Sequence, residues 1–189
     1  TSISMLLGVL ATLKYELAIV LPTSNRDAFV LVKLGSYLSC FSGILSFILF
    51  SFFHFIFDIF DIFYIFLIPL NITLLGITSC AQLYLYRVKN YKINSILTIM
   101  QSLILFSCNI LFWFIFEESG LIFSVVVTNI LICILYLYHL ETKHSFFSIS
   151  KKINRKELRD SFFEYIEFPK IVLWSEFLLI FIQQAPITI

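Results

Sequence analysis

Long apolar runs constrain this chain more than any other feature of its sequence. A helix that crosses a bilayer needs about 20 predominantly apolar residues, because lipid offers no partner for unpaired backbone N–H and C=O groups. Runs at residues 31–57, 62–86, 93–116 and 120–140 meet that requirement. A shorter apolar stretch at 3–13 predicts a partial span, and a last one begins near residue 169 and reaches residue 189. The predicted fold is all-α, a polytopic transmembrane helical bundle with four full spans, one partial and one truncated.

The composition excludes a soluble domain of this size. Hydrophobic residues make up 60% of the chain and charged residues 13%, against about 45–50% and about 25% in soluble domains. A water-soluble fold of 189 residues would have to expose large apolar patches. The formal net charge of +1 provides no broad basic field, so we expect no nucleic-acid partner.

No pattern in the sequence predicts enzymatic or metal chemistry. The cysteines Cys40, Cys80, Cys108 and Cys133 each lie inside an apolar run at unrelated spacing. A zinc site or a disulfide framework needs clustered pairs, so we expect four buried structural thiols. The sequence also lacks a glycine-rich phosphate loop, a histidine or cysteine pair at metal spacing and a serine elbow. We therefore predict no catalytic residue and no metal ligand.

The basic residues fall on alternate breaks between the apolar runs. The break after run 31–57 carries Asp58 and Asp61, and the break after run 93–116 carries Glu117 and Glu118, with no Lys or Arg in either. All 13 Lys and Arg residues therefore lie on one side of the membrane. The positive-inside rule makes that side cytoplasmic. These residues are Lys14, Arg26, Lys33, Arg87, Lys89, Lys92, Lys143, Lys151, Lys152, Arg155, Lys156, Arg159 and Lys170.

The two ends of the sequence predict an internal fragment of a longer protein. The chain opens Thr-Ser-Ile-Ser without a charged n-region or a small-residue cleavage site, so we expect no signal peptide. Its last apolar segment, 172–189, has no charged flank.

The basic connection before residue 169 contains a predicted amphipathic helix at 150–167. One interpretation places this helix in the headgroup region, where apolar burial and anionic lipid attract it. The other makes it a solvated connector between two helix bundles. Its predicted apolar face comprises Ile153, Leu158, Phe162, Phe163 and Ile166, opposite Lys152, Arg155, Lys156 and Arg159.

Polar side chains recur inside the predicted spans, where they are costly and usually face the interior of the bundle or a wet cavity. Two interpretations stay open, namely interhelical hydrogen bonds and a translocation cavity lined by several of these side chains together. In the run 93–116 the polar positions follow a helical period that places them roughly on one face. The residues concerned are Asn94, Thr98, Gln101, Asn109, Thr128, Asn129, Ser175, Glu176, Gln183 and Gln184.

Glu176 lies six residues beyond Lys170, about 9 Å deeper along a helix. An ionised carboxylate at that depth needs a cation, water or a proton. The sequence allows a coupling site for H⁺ or Na⁺, or an ion pair with a Lys or Arg near the cytoplasmic surface.

Several local strings resemble one family of transporters. Residues 11–22 read ATLKYELAIVLP and closely resemble the signature loop of bacterial O-antigen and capsular polysaccharide flippases. These flippases belong to the multidrug, oligosaccharidyl-lipid and polysaccharide exporter superfamily. Further markers that resemble the family follow in order and cover nearly the whole chain, namely Tyr84, Arg87, Lys89, Tyr91, Gln101, Ser102, Asn129, Phe168, Pro169, Gln183, Gln184, Ala185 and Pro186.

The resemblance implies a piece of a two-lobe exporter in the bacterial cytoplasmic (inner) membrane. Residues 1–140 would belong to the N-terminal bundle, 141–168 to a cytoplasmic basic linker and 169–189 to the first helix of the C-terminal bundle. The implied function is to flip undecaprenyl-pyrophosphate-linked oligosaccharide for O-antigen and lipopolysaccharide biosynthesis by alternating access. The implied partners are membrane lipids, the lipid-linked oligosaccharide and the polysaccharide polymerase machinery, with no cofactor besides a coupling ion, H⁺ or Na⁺.

The resemblance also implies that Lys14, Tyr15 and Glu16 lie at the cytoplasmic mouth of the transporter. We call these three residues the mouth cluster. There it would pair with gating groups or lipid headgroups, or serve only as a charge-paired loop anchor. The sequence departs from the family pattern at Lys14, where an Arg is usual, and at Glu176, where a small apolar residue is usual. Two alternatives stay open: an exporter of drugs or another lipid precursor, and a membrane-embedded glycosyl or acyl transferase.

Overall fold

The computed structural model describes residues 11–57, 62–116, 120–144 and 153–184. Four of its helices are long and apolar enough to cross a membrane, which confirms the predicted all-α bundle. The helices are α1 Tyr15–Ala18, α2 Asn25–Phe57, α3 Ile62–Arg87, α4 Tyr91–Phe116, α5 Gly120–His144, α6 Arg155–Glu164 and α7 Leu173–Gln184, with a π-helical turn, Phe168–Val172, directly before α7.

The helix bounds agree with the apolar runs except at the start of α2. This helix begins at Asn25, although its apolar run begins at residue 31. Its first turns therefore carry the charged residues Arg26 and Asp27. Most of the predicted partial span at 3–13 lies outside the described residues, as do 185–189 beyond α7.

The four long helices pack in the order α2, α3, α5, α4. Extensive contacts join α2 to α3, α3 to α5 and α5 to α4, whereas α3 and α4 touch over a smaller area. Small residues permit the close approach of α2 and α3. A Cβ atom added at Gly35 would lie 2.5 Å from Cys80 Sγ, and one added at Gly76 would lie 2.8 Å from Ser39 Cβ. Such small-residue contacts are typical of helix pairs in membranes, where dispersion replaces the hydrophobic effect as the main attraction.

The lateral surface of the bundle is apolar. Phe55 and Phe114 are 90% and 82% exposed, as expected for side chains that face lipid. The prediction of four buried thiols is wrong for Cys40, which is exposed, and Cys108 is only partly buried. Cys80 and Cys133 are buried as predicted. A thiol behaves as a small apolar group, so a lipid-facing position does not penalise it as water would.

The most continuous buried core lies at the end of the bundle that carries the basic residues, called here the basic end. Tyr15 of α1, Phe29 of α2, Tyr84 of α3 and Tyr136 of α5 are buried in one cluster there. Their burial packs the short α1 segment between the long helices. Much of the loop 11–22 is therefore part of the folded core, although Val20 and Leu21 are exposed.

Helix α6 is shorter than predicted and is docked on the bundle. It spans Arg155–Glu164, and residues 150–152 of the predicted helix lie outside the described part of the chain. Leu158 and Phe162 pack against the core. The prediction that Phe163 shares this face is wrong, because Phe163 is 60% exposed. Consecutive helical residues point about 100° apart, so Phe162 and Phe163 cannot both lie at the centre of one buried face.

Candidate functional site

Lys14, the first residue of the mouth cluster, and Leu13 directly before it both lie in the left-handed region of backbone space. Leu13 has φ 50° and Lys14 has φ 63°, and Lys14 caps the start of α1. Non-glycine residues adopt this conformation rarely, and two in succession define a tight turn. The turn directs the chain from residues 11–12 into α1 and places Tyr15 in the core.

Tyr15 attaches this turn to α6. Its side chain is fully buried, and its hydroxyl donates a 2.9 Å hydrogen bond to the carbonyl oxygen of Phe162. The two rings stack with centroids 5.3 Å apart. A buried tyrosine hydroxyl needs such a partner, so this contact both satisfies the hydroxyl and positions α6.

Lys14 lies between two carboxylates. Its Nζ is 2.5 Å from Glu176 Oε2 and 3.8 Å from Glu16 Oε1. The Lys14 side chain is 14% exposed, and those of Glu16 and Glu176 are 11% and 36% exposed. The ion pair with Glu176 is one of the two roles that the sequence left open for that residue. It connects α7 to the turn before α1.

Glu16 is the most enclosed charged member of this group. One of its oxygens, Oε2, is buried and makes no hydrogen bond within the described residues. Burial raises the pKa of the Glu16 carboxyl above its usual range, and the Glu176 charge adds to the rise. A backbone hydrogen bond and the Lys14 ammonium oppose the rise in pKa without cancelling it. Glu16 therefore takes up a proton more readily than an exposed glutamate does.

Arg87, at the end of α3, holds the far side of the same loop. Its Nη1 donates to the carbonyl oxygens of Ile19 and Val20 at 3.3 and 3.4 Å, and its Nη2 donates to that of Ser24 at 3.1 Å. These acceptors lie between the end of α1 and the start of α2. One guanidinium thus satisfies three loop carbonyls.

A second polar group links the long helices. Asn129 of α5 donates to Asn71 Oδ1 of α3 at 2.6 Å and accepts from Gln101 Nε2 of α4 at 3.4 Å. Nearer the basic end, Tyr136 donates to Asn94 Oδ1 at 2.9 Å and accepts from Gln82 Nε2 at 3.1 Å. Both arrangements join three helices.

The structure places the predicted site residues in two groups. Lys14, Tyr15, Glu16 and Glu176 meet at the basic end, whereas Gln101 and Asn129 meet between the long helices. Asn109 accepts separately from the Ser124 hydroxyl. These contacts match the interhelical interpretation of the amides. Hydroxyls of the remaining polar set donate to backbone carbonyls three or four residues earlier in the chain, namely those of Thr98, Thr128 and Ser175.

Two predicted positions, Gln183 and Gln184, end α7, and the structure describes only their backbone. Sequence patterns alone did not pair Asn71 with Asn129 or Tyr15 with Phe162. A lone amide in an apolar run signals that a partner is needed, but periodicity does not identify that partner. Within the described residues, no group of three or more His, Cys, Asp or Glu side chains is arranged to hold a metal.

Comparison with protein-family models, with curated proteins and with solved structures finds no match to this chain. The structure by itself describes a multi-pass helical membrane protein with four candidate spans. An ion cluster lies at its basic end.

Proposed function

We propose that this chain is part of a transporter that flips undecaprenyl-pyrophosphate-linked oligosaccharide across the bacterial cytoplasmic membrane. The observation that carries the proposal is the ion pair between Lys14 and Glu176. It joins the turn before the long-helix bundle to the helix that follows the basic connection. In alternating access, bundles of helices rock about a central site, and contacts between them must form and break.

The environment of the pair suits a contact of this kind. Both side chains are partly buried, so separating them leaves charges that water solvates incompletely. Glu16 remains beside Lys14 when Glu176 moves away, so the ammonium keeps a carboxylate in either state. Because Lys14 accounts for the charge of Glu176, the proposal places no coupling ion at Glu176.

The substrate class comes from the resemblance of residues 11–22 to polysaccharide flippases. This segment contains the mouth cluster. Two further markers of the resemblance, Tyr84 and Arg87, lie beside the segment. Arg87 holds the carbonyls of the loop, and Tyr84 stacks on Phe29 at 4.6 Å. Tyr84 and Arg87 are thus spatial neighbours of the segment 11–22 at the basic end.

Complementation by the full-length protein tests the proposal. In a strain that lacks its polysaccharide flippase, we expect the parent gene to restore surface polysaccharide. Lys14→Glu should abolish export, because it places three carboxylates together. The double variant Lys14→Glu, Glu176→Lys should recover much of the export, because the pair between positions 14 and 176 is restored with its charges exchanged.

The matched control is Lys92→Glu, which makes the same change at an exposed position of the basic end. We expect it to export normally. If the parent is inserted and abundant but restores no polymer, the substrate assignment is wrong, and a drug-sensitive strain then tests the other exporter class. Normal export by a stable Lys14→Glu variant would contradict the role of the ion pair.

A further inference from the structure

Helix α6 separates three kinds of side chain onto three faces. Leu158 and Phe162 pack against the core. The acidic residues Glu157, Asp160 and Glu164 line a cleft together with Arg26 and Asp27 at the start of α2. In that cleft, Arg26 Nη2 lies 2.8 Å from Glu157 Oε1. The acidic face of α6 is thus turned towards α2.

The third face is basic and exposed. Arg155, Arg159 and Phe163 are spaced four residues apart and share one side of the helix, and Lys156 lies two turns before Phe163. All four side chains are exposed, and Phe163 is 60% exposed. No ion pair between described residues uses any of the three cations. An exposed phenylalanine is therefore surrounded by cations that the fold itself does not neutralise.

Helix α6 also lies at the depth of a membrane surface. It packs on the first turns of α2, just before the apolar part of that helix begins. Tyr86 and Tyr91, at the adjoining ends of α3 and α4, are 46% and 54% exposed, and Tyr138 near the end of α5 is 67% exposed. Exposed tyrosines of this kind mark the membrane–water interface. The basic face of α6 is therefore within reach of lipid headgroups.

We propose that the face formed by Arg155, Lys156, Arg159 and Phe163 docks on anionic phospholipid headgroups of the leaflet at the basic end. The cations neutralise the headgroup phosphates, and the phenyl ring enters the boundary between headgroups and acyl chains. Docking at this face holds α6 against the membrane, and Tyr15 connects α6 to the mouth cluster. The proposal does not depend on which substrate the protein transports.

Lipid titration of the purified, delipidated full-length protein tests this proposal, with native mass spectrometry counting bound phosphatidylglycerol. Replacing Arg155, Lys156 and Arg159 together by Gln should weaken phosphatidylglycerol binding by about a hundredfold, since each of the three cations contributes about fivefold. The matched control replaces Lys89, Lys92 and Lys143, three exposed cations of the same end, by Gln. Binding of phosphatidylcholine should change in neither variant.

A second measurement reports on Phe163. A Phe163→Trp variant adds one tryptophan, whose fluorescence is obtained by subtracting the signal of the parent protein. Lipids brominated near the headgroup should quench this fluorescence more strongly in vesicles that contain phosphatidylglycerol than in vesicles of pure phosphatidylcholine. Equal loss of phosphatidylglycerol binding in both triple variants would overturn the proposal, as general electrostatics would explain it. The proposal would also be overturned if the Arg155, Lys156 and Arg159 triple variant bound phosphatidylglycerol normally. Loss of polyprenyl pyrophosphate binding in that variant would then assign the face to substrate, and loss of self-association would assign it to a second copy of the chain.

Discussion

Glu16 combines a charge, a buried position and an oxygen without a hydrogen-bond partner within the described residues. Because burial raises the pKa of this carboxyl, the folded protein binds the proton more tightly than the unfolded chain does. The stabilisation from this proton is fully present below the unfolded pKa and is lost as pH rises through the folded pKa. Acidification should therefore favour the local fold around Glu16.

Glu16→Gln should remove this pH dependence. The amide stays neutral, so the variant should become more stable than the parent as pH rises above about 4, and the difference should level off above the raised pKa. Thermal unfolding of the detergent-solubilised parent and variant at a series of pH values measures this difference in stability. Glu164→Gln, a loss of the same charge at an exposed position, is the control. A constant difference between Glu16→Gln and the parent at every pH would rule out the linkage.

Individual contacts at this scale were only partly predictable. The sequence singled out Lys14, Tyr15 and Glu16 through their resemblance to the flippase signature loop, and Glu176 because an ionised carboxylate at that depth needs a partner. It did not identify Phe162 as the partner of Tyr15, a residue 147 positions away. Such a contact depends on how the basic connection folds back onto the bundle, and no local period encodes that path.

Among the elements, the best-specified interaction between long helices is the amide group of Asn71, Gln101 and Asn129. Replacing Asn129 by Leu leaves both of its partners without that hydrogen bond. We expect coupling of about 0.6 kcal/mol, and at most about 1.7 kcal/mol, between Asn71→Leu and Asn129→Leu in a double-mutant cycle, as for other hydrogen bonds between membrane helices. Unfolding in mixed detergent, with all four corners of the cycle, measures it.

The same variants separate the two interpretations of the amides. If Asn71 and Asn129 only join helices, export by the full-length double variant should fall only as far as the amount of folded protein falls. Export per folded molecule should then equal that of the parent. The control is Ser107→Ala, which removes an exposed hydroxyl bonded within its own helix. Strictly additive losses of stability would contradict the pairing, and a loss of export without a loss of stability would favour a cavity lined by these residues.

Element bounds were the most predictable part of the fold. Helices α3, α4 and α5 begin and end within a few residues of their apolar runs, because lipid penalises any break in the backbone hydrogen bonds. The start of α2 and the short α6 were predicted less well. Both lie at the basic end, where water and protein contacts also satisfy the backbone and hydropathy no longer sets the limits.

For the whole molecule, the length of α2 and the positions of its charges bear on how the chain lies in the membrane. Its 33 residues give about 50 Å of helix, whereas the hydrocarbon core is about 30 Å thick. The surplus length either tilts the helix or extends beyond the core. Arg26, Asp27 and Lys33 lie in its first turns, so the surplus belongs at the basic end, where α6 covers it.

Single cysteines introduced into a variant without the four native thiols test this topology. A membrane-impermeant maleimide should label Lys89→Cys and Lys156→Cys only after the cells are permeabilised, because the positive-inside pattern predicts a cytoplasmic position for both residues. Asp58→Cys and Glu117→Cys should react in intact cells. Ile44→Cys, on the exposed apolar face of α2, should resist the reagent in both conditions, since lipid excludes it. Labelling of Lys89→Cys and Lys156→Cys from opposite sides of the membrane would show that the basic residues do not share one side. In that case α6 could not reach the headgroups of the leaflet at the basic end.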